Sequence, residues 1–184
     1  NEISLLFSDK QHLRSLIDVE IALAKVQGET GVIPAEAASK IIKHINSGDI
    51  LLKELTLGTA KDGVVVPTLV NHLRKTVGGD AASYIHYGVT SQDIIDTALV
   101  LQLRKIIKIF ENRITIITKT LADLADKHRN TIMAARTRSQ ISTPTTFGLK
   151  AANWLMPFIR HQSRLKELKE RLFVLSFGGA SGTL

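Results

Sequence analysis

Between His86 and Asp93 the chain reads His-Tyr-Gly-Val-Thr-Ser-Gln-Asp, which sets an imidazole, two hydroxyls and a carboxamide at the start of a long apolar-striped segment. Thr90 and Asp93 have the T-x-x-D spacing of a helix capping box, so Thr90 or Ser91 is the expected N-cap. Gly88 gives the backbone freedom just before that cap. The first turn of a helix carries N–H groups that no helical carbonyl satisfies, and its dipole favours negative charge. With His86, Thr90, Ser91 and Gln92 around it, such a terminus suits a carboxylate. The same spacing equally describes a capped helix with no ligand.

A second polar cluster runs from Met133 to Gly148 and includes Arg136-Thr137-Arg138-Ser139-Gln140. Two guanidinium groups alternate with hydroxyls, a compact set of donors for carboxylate binding. The segment is β-branched, interrupted by Pro144 and placed between two long helical patterns, so a turn-rich connection is expected. Taken alone, it is also an ordinary interhelix loop.

The elements that must position these residues read as helices. Leu13, Leu16, Ile17, Ile21, Ala24 and Val26 recur at helical spacing from about Asp9 to Thr30, with Gly31 as a stop. Pro34 suits the first turn of the next helix, which carries Ala37, Ala38, Ile41, Ile42 and Ile45 and ends at Asn46-Ser47-Gly48. A short helix is expected from Ile50 to Leu57, a loop from Gly58 to Gly63, and a further helix opening near Pro67 and closed by Gly78-Gly79. From Gln92 to about Arg129, Ile95, Leu99, Leu103, Ile106, Phe110, Ile114, Ile117, Leu121 and Leu124 form one stripe. A helix of that length spans on the order of 55 Å, more than a small domain. Ile94, Ile107, Ile109 and Ile116 widen the stripe, so it needs several partner helices. One comparable helix follows, from about Thr145 to Leu175, with Pro157 expected to kink or break it. Two helices cannot cover each other all round, which implies further chain or an obligate homo-oligomer.

Composition narrows the class. The 184 residues are 44% hydrophobic and 22% charged, the balance of a globular chain. There is no cysteine, which excludes disulfides and thiolate metal sites and makes a reducing cytoplasm the default expectation. No apolar run reaches the length of a membrane span, and no signal-peptide pattern opens the sequence. The net charge of +7 favours an anionic partner. The basic residues, however, are scattered along helices (Lys105, Lys108, Arg113, Lys119, then Arg160, Arg164, Lys166, Lys169, Arg171). That argues against nucleic acid and leaves a polyanionic small substrate or plain solvated faces. With neither clustered metal ligands nor a phosphate-binding loop, no metal and no cofactor are implied.

Taken together, the motifs resemble the fumarase/aspartase superfamily, whose members eliminate or add across a carbon–heteroatom bond next to a carboxylate. His86 to Asp93 resembles its first signature, and Arg136-Thr-Arg-Ser-Gln-x-x-x-Pro-Thr-Thr-x-Gly148 its second. Val19-Glu-Ile-Ala-Leu-Ala24 with Glu29-Thr-Gly-Val-Ile-Pro34 is similar to the family's opening helix. Phe177-Gly-Gly-Ala-Ser-Gly-Thr-Leu184 is similar to the Gly-rich break after the second signature. Adenylosuccinate lyases have a histidine where Arg138 stands and a His-Asp pair where Lys61-Asp62 stands, so their acid/base pair is missing here. Val64-Val-Val-Pro67, Asp96 to Arg104 and the Gly-rich ending are most similar to the family of bacterial carboxymuconate cycloisomerases, many of which carry an aromatic residue at the position of Arg138.

The resemblance implies an all-α fold: a small N-terminal helical domain over residues 1–88, then the first long helices of a bundle over residues 89–184. The third superfamily signature is not found, so the chain resembles the front part of a longer enzyme. The implied activity is addition of a substrate carboxylate across the double bond of a ring-opened tricarboxylate, closing it to a lactone. Another lyase of the superfamily, such as adenylosuccinate lyase, is one alternative, and a non-catalytic helical oligomerisation module that kept only the scaffold is the other. His86 and Ser91 are the implied catalytic residues. Thr90, Ser91 and Gln92 would clamp one carboxylate, and Thr137, Arg138, Ser139 and Gln140 another, with Arg136 and Thr137 positioning that loop. The implied partners are a small polycarboxylate and further copies of the chain, in a tetramer with shared active sites.

Overall fold

The computed structural model describes residues 1–45 and 52–183. The order of elements is α1 (Glu2–Leu6), α2 (Asp9–Glu29), α3 (Ala35–Ile45), α4 (Leu52–Asp62), α5 (Val66–Val77), a 3-10 turn (Asp80–Tyr84), α6 (Ser91–Lys127), β1 (Ile132–Thr137), β2 (Gln140–Thr146) and α7 (Phe147–Leu172). Besides the helices, the regular structure among the described residues is one two-stranded ribbon. The helix end expected at Asn46–Gly48, the helix start expected at Ile50 and the terminal Leu184 lie outside the described residues. No described helix is long and apolar enough to cross a membrane. The chain folds as two compact units: Asn1–Arg104 with Phe173–Leu184, and Lys105–Leu172.

In the first unit, α2 starts at Ser8, whose side chain accepts from the Gln11 N–H, and stops at Thr30, followed by Gly31 at φ 76°. Its buried face includes Leu13, Leu16, Ile17 and Ala24. Leu16, Ile41, Leu69, Leu73, Ile85 and Ile94 are essentially inaccessible and gather α2, α3, α5 and the start of α6 around one core. Burying each such side chain contributes roughly 1.5–3 kcal/mol. Helix α5 begins at Val66 with Pro67 in its first turn, where a missing N–H does no harm.

The segment from Gly58 to Asp62 is helical, not the loop expected from its glycine. A Cβ on Gly58 would lie 2.0 Å from Thr68 Oγ1 and 2.6 Å from Thr68 Cβ, so the glycine permits the close approach of α4 to α5. It serves packing here and does not break the helix.

On α6 the buried side within the first unit is Ile94, Ala98 and Gln102, while Leu99 of the expected stripe is 41% exposed. Gln102 is held by two ties, its Nε2 donating to Leu6 O at 2.7 Å and its Oε1 lying 3.0 Å from His12 Nδ1. The buried line is thus offset by one residue from the stripe of largest side chains.

In the second unit the connection between α6 and α7 is a β-ribbon, which corrects the expectation of a turn-rich loop. Strands β1 and β2 pair antiparallel from Ile132↔Thr146 to Thr137↔Gln140. A register shift between Ala134 and Arg136 accommodates Pro144, which cannot donate to a ladder. The β-branched residues Ile132, Thr137, Ile141, Thr143, Thr145 and Thr146 favour the extended backbone. The base of the ribbon is tight. Phe147 N–H donates to Thr131 O and Gly148 N–H to His128 O, both at 2.9 Å. A Cβ on Gly148 would lie 2.5 Å from Ala125 O and 2.6 Å from Arg129 Cα. Of the kink or break expected at Pro157, the break is not there: α7 continues through it. Large apolar side chains of this unit remain open, including Ile116 at 66% and Trp154 at 45% exposure.

Candidate active site

The first signature segment is a turn pinned from two other helices, α2 and α5. Ile85, buried, passes its carbonyl to Arg74 Nη2 of α5 at 3.0 Å. The Tyr87 carbonyl accepts from Gln27 Nε2 of α2 at 2.8 Å. Between them His86 sits at φ 63°, a conformation that L side chains rarely adopt, with its Nδ1 2.6 Å from Glu20 Oε1 of α2. Gly88, at φ 71°, carries the chain into the helix start. Thr90 precedes α6, and its backbone N–H donates to Asp93 Oδ2 at 3.0 Å, the back-reaching half of a capping box.

Asp93 does more than cap. Its Oδ1 accepts from Gly178 N–H at 2.9 Å and its Oδ2 from Gly179 N–H at 3.0 Å, so one buried carboxylate ties the Gly-rich segment to the start of α6. Thr97 adds a reciprocal pair with Ser176, its hydroxyl donating to Ser176 O and accepting from Ser176 N–H, both at 3.2 Å. Burial pushes the Asp93 carboxyl up, yet the N–H donors of Gly178, Thr90 and Gly179 and the nearby charge of His86 outweigh it and hold the group below its ordinary value.

Around this frame the expected site residues take up different positions. Thr90 and Ser91 are half-buried at the helix start, whereas Gln92 is exposed and donates through Nε2 to Asp96 Oδ1 at 2.7 Å along its own helix. His86 is half-buried, its side chain 15% exposed. Beside the turn lies a mainly apolar cleft of about 670 Å³, with Val19, Ala22, Tyr87, Ile94 and Phe177 among its walls. His86, Thr90 and Ser91 do not line it.

The second signature segment is the tip of the β-ribbon. Arg138 and Ser139 form its two-residue turn at φ 44° and 66°, the positive values that a tight hairpin turn requires at both central positions. Arg136 Nη1 donates across the turn to Ser139 O at 3.3 Å. Thr137 and Gln140 pair at the strand ends, and residues 136–140 are all exposed. Among the described residues, the non-glycine positions with positive φ are His86, Arg138 and Ser139. All three fall in the two signature segments. Left-handed backbone at such residues costs of order 1–3 kcal/mol and persists where the surroundings or a function hold it.

Two pairings in the site, Glu20 with His86 and Asp93 with Gly178-Gly179, are not marked by any local pattern. Glu20 lies on the apolar face of α2 with Leu13, Leu16, Ile17 and Ala24, and a carboxylate on a buried stripe is itself a signal that a cationic or N–H partner must meet it. Asp93 is legible as a cap, and the pair Gly178-Gly179 as a bend. That one holds the other follows only from the fold. No three His, Asp or Glu side chains group to hold a metal ion among the described residues.

A helical chain whose tight turn opens a 37-residue helix, with a polar hairpin after that helix and a Gly-rich return, fits the front of a fumarase/aspartase-type lyase. Residues 2–184 match the lyase family, and the chain belongs to it. It is 42% identical to N-acetyl-S-(2-succino)cysteine lyase of Dickeya dadantii over 99% of this chain and 40% of that protein. It is also 42% identical to 3-carboxy-cis,cis-muconate cycloisomerase of Pseudomonas aeruginosa, over 97% of this chain and 40% of that one. A fumarate lyase structure from Mesorhizobium superposes with a TM-score of 0.95 at 41% identity, covering 99% of this chain and 43% of that one. The chain thus spans about two fifths of the length of the relatives it matches.

Proposed function

We propose that this chain is the N-terminal part of a cycloisomerase that closes 3-carboxy-cis,cis-muconate to 4-carboxymuconolactone in aromatic-acid breakdown. One carboxylate of the substrate adds across a neighbouring double bond, a carbon–oxygen bond forms, and a proton goes to the adjacent carbon. Counted as free acids, substrate and product have the same composition; the ionised substrate takes up one proton as one carboxylate becomes the ring ester. The electron pair pushed out by the addition is held as an aci-carboxylate until that proton arrives, so the enzyme must stabilise extra negative charge next to a carboxylate. Thr90, Ser91 and the N–H groups opening α6 form one carboxylate clamp, with Gln92 at its rim. Arg138, Ser139 and Gln140, with Thr137 beside them, form the other. In this reading His86 and Ser91 exchange the proton. We assign residues 1–88 to the small helical domain and residues 89–184 to the start of the bundle.

The observation that carries this reading is the strained turn at His86, standing directly before the capped N-terminus of α6 in a chain 42% identical to a muconate cycloisomerase. The Dickeya relative is equally identical, so elimination of fumarate from a succinylated thiol is the second reading. The test is an ultraviolet assay on the full-length protein. Loss of the muconate diene band supports the cycloisomerase, whereas release of fumarate from N-acetyl-S-(2-succino)cysteine without diene loss supports the second.

The two clamps flank a helix of 37 residues, which spans on the order of 55 Å. We therefore assign each active site to more than one subunit of a tetramer, with one copy giving the helix start and another the ribbon tip. Full-length Ser91→Ala and Arg138→Ala enzymes, each inactive alone, should regain partial activity when dissociated and reassembled together. Mixed tetramers with no recovered activity would rule the shared site out.

A further inference from the structure

The side chain of Glu20 is 1% exposed, on the apolar face of α2. A carboxylate removed from water costs several kcal/mol unless it is paired and hydrogen-bonded. The partner it has is His86 Nδ1 at 2.6 Å, the short separation of a charge-assisted hydrogen bond. An ionised carboxylate only accepts, so the proton of this bond sits on Nδ1, and Nε2 is the nitrogen left for a ligand. The ring is carried on a backbone at φ 63° and faces a second carboxylate, Asp93, closely enough for its charge to act there. Asp93 is saturated by the backbone N–H groups of Thr90, Gly178 and Gly179. Of the two acids beside the imidazole, only Glu20 grips it.

We infer that Glu20 is a positioning residue, which fixes the orientation and the Nδ1–H form of His86 so that Nε2 is presented to the substrate. This rests on His86 acting on the substrate, whichever of the two proposed reactions runs there, and names the group that directs it. A buried carboxylate behind an active imidazole sets which nitrogen carries the proton; behind metal-bound imidazoles such partners are worth about ten- to a hundredfold, and a loss of that scale is expected here.

The test uses the full-length enzyme and whichever substrate the wild type turns over, so a failed diene assay sinks the cycloisomerase reading without touching this one. Glu20→Gln keeps the shape and an acceptor oxygen and removes the charge. It should lower kcat about tenfold or more while KM stays within about twofold, and Glu20→Asp should recover part of the loss. In a His86→Asn background the same Glu20→Gln change should alter kcat less than about twofold, because the group it acts through is gone. Equal losses in both backgrounds, or full kcat in Glu20→Gln, would overturn the inference. A readout free of turnover is the solid-state nitrogen spectrum of labelled histidine, with the His86 signals assigned by their loss in His86→Asn. Nδ1 should be protonated in the wild type and mixed in Glu20→Gln, whose amide can accept or donate. An unprotonated Nδ1 in the wild type would overturn it as well.

Discussion

The turn at His86 and the turn at Arg138-Ser139 both hold non-glycine residues at positive φ, 63° in one and 44° and 66° in the other. Their surroundings differ. The His86 turn is gripped by Glu20, Gln27 and Arg74 from two other helices and is sealed by Asp93 and the Gly178-Gly179 bend. The ribbon turn is fully exposed and is held by its own strand ladder and one Arg136 hydrogen bond. In the first, tertiary contacts over-determine the strain, and the protein's own hydrogen bonds set the geometry of the turn. In the second, the strain is local and the donor groups stay open. Two halves of one proposed site thus reach their conformations by opposite routes, one through burial and one through turn chemistry.

That contrast is broken most severely at His86. Replacing it by glycine removes the backbone strain but also deletes the partner of a buried carboxylate. The uncompensated charge of Glu20 dominates, and the expected loss is about 3 kcal/mol, the scale of a buried pair stripped of one member. A fall in thermal midpoint of the full-length protein on His86→Gly, rescued by adding Glu20→Leu, would support over-determination by burial. If His86→Gly raised the midpoint, the turn would be held no more firmly than the ribbon tip.

The seal of the same turn is pH-dependent. Burial raises the Asp93 pKa, the N–H donors led by Gly178 lower it, and the net value lies below that of an unfolded aspartate. A group depressed in the folded state adds stability above its unfolded value, near about 3.9, and loses it as the pH falls through the folded value. Asp93→Asn should therefore cost about 1–2 kcal/mol at neutral pH. The gap to wild type should narrow on acidification from about pH 5 to about pH 3. Unfolding midpoints measured across that range check this, and parallel curves for the two proteins would remove Asp93 as the titrating tie. No matching acid dependence is expected from the exposed ribbon tip, where a buried carboxylate is lacking.

How much of this could be read from residues alone follows the same division. The helix frame was legible because Leu13, Leu16 and Ile17, or Ile41 and Ile45, repeat at helical spacing and are buried as that spacing demands. The T-x-x-D cap gave the start of α6. Gly58 misled because a glycine that admits Thr68 is indistinguishable in sequence from one that ends a helix. The ribbon was missed because its turn is Arg-Ser where Asn-Gly is the usual mark, and because Pro144 argues against a strand until the register shift is seen. On α6 the largest side chains pointed to Ile95 and Leu99, yet the first unit buries Ile94, Ala98 and Gln102, since small and polar residues fit where α6 lies against Leu6 and His12. The Glu20–His86 and Asp93–Gly178 contacts span 66 and 85 positions. No local pattern reports such pairs.

The smallest effect sharpens the comparison most, because it has the opposite sign. Ser139 occupies φ 66° on an exposed turn and carries no buried partner. Glycine adopts that backbone freely, so Ser139→Gly relieves strain of about 1 kcal/mol or more. The greater freedom of glycine in the unfolded chain takes back roughly 0.5–1 kcal/mol. The net expectation is a gain of about 0.5 kcal/mol, a small rise in thermal midpoint measured beside the fall for His86→Gly. Arg136 still donates to the carbonyl of residue 139, which glycine retains, so the ribbon stays closed. Activity should move the other way. Loss of the Ser139 hydroxyl removes a donor from the proposed second carboxylate clamp and should raise KM about tenfold, the scale of one hydrogen bond to a charged group. A more stable and weaker-binding Ser139→Gly enzyme is the outcome expected of a turn kept strained for its ligand. A variant that is destabilised, with KM unchanged, would mean that the serine serves the ribbon alone.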